Sequence, residues 1–72
     1  MKYETWLTYP NMSLAVELKN NEYHCCEFGV NQTKKLNIKI CTSILELKFY
    51  LLSIPNPPKK QISVLIKKLE II

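Results

Sequence analysis

Apolar and polar positions alternate along the first part of this chain and change to a helical spacing in the last part. In Lys2–Tyr9, Tyr3, Thr5, Leu7 and Tyr9 fall on one side and Glu4, Trp6 and Thr8 on the other. Both sides hold aromatic or β-branched residues that suit a pleated surface, so a strand is predicted. Pro10-Asn11 follows. Proline's fixed φ starts a turn and asparagine tolerates a strained one, which predicts a tight reversal.

Leu14, Val16 and Leu18 then alternate with Ala15, Glu17 and Lys19, and Asn20-Asn21 interrupts before Glu22–Val30. This is the pattern of a hairpin with a two-residue loop. In that register Leu18 faces Tyr23, Glu17 faces His24 and Val16 faces Cys25, so apolar residues oppose apolar ones. A helix over Ser13–Asn20 competes, because Ser13 is a good cap and Leu14, Ala15 and Leu18 have helical spacing; the cross-strand matching puts the hairpin ahead.

Gly29 and Asn31-Gln32-Thr33 break the alternation, which resumes with Leu36, Ile38 and Ile40 against Asn37, Lys39 and Cys41 and predicts a fourth strand. Ser43 with Glu46 three residues later forms a capping-box pattern ahead of a Leu-rich stretch. A helix over Ser43–Ile54 is predicted, although Leu45, Leu47, Phe49 and Leu51 would also permit a strand. Pro55-Asn56-Pro57-Pro58 ends it, since proline lacks the amide donor and restricts the residue before it. Downstream, Ile62, Leu65, Ile66 and Leu69 fall at i, i+3, i+4 and i+7, the spacing of an amphipathic helix. The rival is a strand with Ile62, Val64 and Ile66 inward. The expected architecture is one α+β domain over residues 1–72: an antiparallel β-meander of four strands followed by two helices packed on one face.

Both helices carry more apolar surface than one contact needs. In the first, Ile44, Leu47, Leu51 and Ile54 form one stripe and Leu45, Phe49 and Leu52 another; in the second, Val64 and Ile71 lie opposite the main stripe beside Lys60 and Lys67. A 72-residue chain buries only about 60% of its unfolded surface. Either the helices are covered on two sides within the domain, or the surplus is an interface.

Charge sharpens that choice. Residues 1–36 hold four Lys and four Glu, whereas residues 37–72 hold six Lys and two Glu, so the whole net charge of +4 lies in the second half. A solvated lysine face accounts for this without function; an acidic protein surface or nucleic acid are the partners it would attract. Lys39, Lys48, Lys59, Lys60, Lys67 and Lys68 are the candidate phosphate contacts, with Trp6, Tyr3 or Tyr9 as stacking platforms. The chain has no Arg, the residue best suited to reading guanine, so such binding would be mainly electrostatic. For a protein partner, Lys60, Val64, Lys67, Lys68 and Ile71 are the candidate contacts.

Catalysis is not expected. The single His24 and the absence of Asp leave few arrangements of nucleophile, base and orienting group: Cys26 or Cys41 with His24, and Glu17 to orient it. His24, Cys25, Cys26 and Cys41 number enough for zinc, but Cys25 and Cys26 point to opposite faces of a strand and no C-x-x-C pair exists. No metal or other cofactor is expected. Lys2 leads into Tyr3, Glu4, Thr5 and Trp6 rather than an apolar secretory run, and the apolar stretch near Ile44–Ile54 is interrupted and too short to span a bilayer. The expected location is the cytoplasm, without a membrane partner.

Lys, Asn and Ile abound while Asp and Arg are absent, the signature of an AT-rich genome. In size and composition the chain resembles, in a general way, accessory proteins of phages and mobile elements. A small non-enzymatic protein-binding module is expected, an inhibitor or adaptor acting on a larger host protein or a self-associating one. The alternative is a sequence-tolerant nucleic-acid-binding protein. The cysteine spacing generates a first test: elemental analysis should find no stoichiometric zinc, and thiol titration in denaturant should find all three cysteines reduced.

Overall fold

The computed structural model describes residues 3–29 and 35–71. Four strands, β1 (Tyr3–Tyr9), β2 (Met12–Lys19), β3 (Glu22–Gly29) and β4 (Lys35–Cys41), precede two helices, α1 (Ile44–Ser53) and α2 (Lys59–Ile71). The strands form one antiparallel sheet in the order β1-β2-β3-β4, so the chain is an α+β meander followed by a helical pair. Residues 13–20, for which a helix competed, are strand and turn; residues 60–70, for which a strand competed, are helix.

Loop chemistry sets the register. Asn20 and Asn21 both take positive φ, 53° and 63°, the backbone of a type I′ turn, and asparagine is the non-glycine residue that tolerates it. Leu18 accordingly pairs with Tyr23, Glu17 with His24 and Val16 with Cys25, as the alternation predicts. The two-residue loop at Pro10-Asn11 makes Tyr9 and Met12 the closing pair of the first hairpin. From this parity, alternate backbone groups of the edge strand β1, including Thr8 N–H, point away from the sheet. Gln61 Oε1 of α2 accepts that hydrogen bond at 3.1 Å. On the opposite edge, Asn37 Oδ1 accepts from Ile38 N–H at 2.9 Å. Each sheet edge thus has an outward donor occupied by a side-chain amide.

The core lies on one side of the sheet. Leu7, Tyr9, Leu14, Val16, Cys25 and Cys41 are buried from the strands, with Leu47 and Leu51 from α1 and Ile62, Leu65, Ile66 and Leu69 from α2. Ser43 caps α1: its Oγ accepts from Glu46 N–H at 3.1 Å, while the Glu46 carboxylate takes the Thr42 hydroxyl at 3.3 Å instead of closing the reciprocal half of the capping box. Ile54 leaves the helix in extended conformation ahead of Pro55, and Asn56 turns the linker at a φ of 55°. Two tyrosines tie the layers together. Tyr9 Oη donates to the Leu51 carbonyl at 2.9 Å, and Tyr50 Oη donates to Glu27 Oε1 at 2.6 Å.

Leu65 is buried, whereas Val64 and Ile71 are 52% and 84% exposed. Leu65→Ala should lower stability by about 2–5 kcal/mol. Val64→Ser and Ile71→Ser should leave the thermal midpoint nearly unchanged; calorimetry on the three variants checks the separation.

Candidate functional site

Pairing across the strands places Trp6, Ala15, Cys26 and Ile38 in one row on the sheet face away from the helices. Trp6 is 53% exposed and Ile38 56%. Phe28 lies beside Trp6, ring centroids 5.3 Å apart and tilted by 39°. The next row is Glu4, Glu17, His24 and Ile40, the last 45% exposed. His24 Nε2 lies 3.5 Å from Glu22 Oε1, two residues along the same strand and face.

Sequence reasoning missed this face. The alternation in residues 36–41 shows that one side of the strand is apolar but not which way that side turns. The structure turns Ile38 and Ile40 outward and buries Cys41. What decides it is the β3–β4 register, which pairs Cys26 with Ile38 and Tyr23 with Cys41 and which neither two-residue loop specifies.

On the helical side, the Ile44, Leu47, Leu51 and Ile54 stripe of α1 packs on the core, and Leu45, Phe49 and Leu52 are exposed. Beside Leu52 a groove of about 410 Å³ runs between the helices, with Ile62 and Ile66 in its floor and Lys48, Lys59, Lys67 and Glu70 on its rim. A second groove, about 320 Å³, separates β1 from α2 and brings Trp6 next to Val64, Lys60 and Lys68. The five candidate protein contacts are all exposed, yet they divide: Lys60, Val64 and Lys68 border the second groove, Lys67 borders the first, and Ile71 lines neither. The candidate phosphate contacts divide likewise, with Lys39 apart on β4. Of the stacking candidates, Tyr9 is buried and cannot stack on a base, because its ring is core and its hydroxyl holds Leu51. Tyr3 has its backbone in β1, and its side chain is outside the described residues.

Cys25 and Cys41 are fully buried, and Cys26 is half-buried on the other face. His24 shares its face with Cys26 and not with Cys41. Among the described residues no three His, Cys, Asp or Glu side chains gather as a metal site, and no helix is long and apolar enough to cross a membrane. Burial, reinforced by Cys41 alongside, pushes the Cys25 thiol up to about 12, and burial also raises Cys41. Burial first, then the neighbouring Cys25, pushes Tyr9 up to about 12; burial and the bond to Glu27 raise Tyr50. These buried groups are held protonated, the opposite of an activated nucleophile. No family model matches the chain, nor does any curated protein or solved structure.

The raised values give a sign for alkaline stability. Tyr9 and Cys25 ionise near their ordinary 10 and 9 when unfolded but near 12 in the fold, so their contribution is full below about pH 9 and falls as pH rises toward 12. Urea titrations followed by circular dichroism should show stability declining across that window, and less steeply in Tyr9→Phe. At neutral pH an alkylating agent should label Cys26 first and reach Cys25 and Cys41 only on unfolding, which peptide mass mapping reads.

Proposed function

We propose that this chain is a small non-enzymatic protein-binding module, an inhibitor or adaptor that engages a larger protein through an acidic, amphipathic segment. The carrying observation is the helical layer: Leu45, Phe49 and Leu52 stand exposed on α1, and Leu52 borders a groove whose rim holds Lys48, Lys59 and Lys67 with a single carboxylate, Glu70. Large apolar residues left in water at i, i+4 and i+7 match the stripe of an incoming helix, and the lysines match carboxylates along its flanks. Val64 and Ile71 are also exposed on α2, but Val64 borders the β1–α2 groove with Lys60 and Lys68, apart from this one. Apolar anchors inside a polar rim are the usual anatomy of a protein interface.

Nucleic acid remains the second reading, favoured by the same lysines. It is the weaker of the two because Tyr9 is buried and Trp6 is already in contact with Phe28. A backbone-tracking site wants lysines in a line with free aromatic faces between them.

Fluorescence anisotropy separates these readings. A labelled peptide with Leu at i, i+3 and i+7 and flanking Glu should bind more tightly than a scrambled peptide of equal charge. Phe49→Ser should weaken it by roughly tenfold or more. A DNA duplex should bind weakly, with affinity falling steeply with salt and unaffected by Phe49→Ser. Duplex binding as tight as that of the peptide and surviving high salt would overturn the proposal.

A further inference from the structure

An antiparallel sheet packed on one face ordinarily presents polar residues on the other. Here the open face carries an apolar row across all four strands, Trp6, Ala15, Cys26 and Ile38, with Phe28 and Ile40 beside it. We propose that a second copy of this chain covers it, giving a sandwich of two four-stranded sheets about a two-fold axis parallel to the strands and between β2 and β3.

Three observations select this occupant. The first is charge. The axis carries β2 of one copy over β3 of the other, so Lys19 meets the second copy's Glu22 as an ion pair, Glu17 meets its His24 as acceptor to imidazole, and Glu4 falls at the margin against its Ile40. Lys19 with Glu22 and Glu17 with His24 are already cross-strand partners within one sheet, so the symmetry repeats across the gap a complementarity the sheet possesses. At the margins Trp6 meets Ile38, which places the two most exposed apolar residues of the row together.

The second is the state of the edges. Thr8 N–H is held by Gln61 and Ile38 N–H by Asn37, so an outward donor on each edge strand is occupied before any partner strand arrives. An edge-to-edge partner strand would have to displace these two bonds, a cost that face-to-face packing does not carry.

The third is size. Four strands spaced by about 4.8 Å, each seven or eight residues long at about 3.3 Å per residue, offer a face of about 450 Å² in plan. Side chains standing on it raise the accessible area buried, which puts the pair among the smaller specific interfaces. Such a dimer forms reversibly and its stability depends on concentration.

Sedimentation equilibrium of the full chain tests the inference. The wild type should pass from one to two chain masses as concentration rises, with the thermal midpoint rising in step and Cys26 labelling slowing. Ile38→Lys, at an exposed position, should keep the far-UV spectrum and weaken association by roughly tenfold or more. Lys19→Glu should also weaken it, and the exchange Lys19→Glu with Glu22→Lys should restore it. Phe49→Ser, on the helical layer, should leave association unchanged, so this inference can fail independently of peptide binding. A single-chain mass at every concentration, a doubled mass that survives Ile38→Lys, or one abolished by Phe49→Ser overturns it.

Discussion

One apolar layer holds this molecule together, formed where Leu14 and Val16 of β2 and Cys25 of β3 share a core with Leu47 and Leu51 of α1 and Leu65 and Leu69 of α2. With two helices and one sheet, the chain can build that layer on one face only. The four strands and two helices described supply no second layer for the other side. The outward-facing residues follow from this constraint. Trp6, Ile38 and Ile40 are left on the open sheet face, and Leu45 and Phe49 on the outer face of α1, because no described element packs over them.

The polar groups drawn into the core region show the same economy. The Tyr9 hydroxyl finds the Leu51 carbonyl and the Tyr50 hydroxyl finds Glu27, so each tyrosine places its ring between layers while its oxygen keeps a partner. These two bonds link α1 to β1 and to β3. The buried thiols of Cys25 and Cys41 act as small apolar fillers, consistent with their raised pKa values. In this arrangement the buried polar groups serve packing.

Much of the fold was legible in the chain because it depends on local rules. Asn20-Asn21 specifies a type I′ turn and hence the β2–β3 register, Ser43 with Glu46 marks the start of α1, and Pro55 marks its end. The site was only partly legible. The exposure of Val64 and Ile71 followed from helical projection, and both are exposed. The grooves that divide Lys60 from Lys67, and the contact of Trp6 with Phe28, need the angles between elements, which no periodicity encodes.

By itself, then, the sequence determined the elements, their order and their turns, since each rests on the φ preference of one or two residues or on a period of two or 3.6. Only the tertiary structure decided phase. Residues 36–41 have one apolar side, and Ser43–Ile54 has two apolar stripes of similar weight. The register carried from β3 buries Cys41 and turns Ile38 outward, and the short link from Cys41 to Ser43 then brings Leu47 and Leu51 rather than Leu45 and Phe49 onto the core. Which apolar side is buried is a property of neighbouring elements, because burial is shared between two surfaces and neither surface alone specifies its partner.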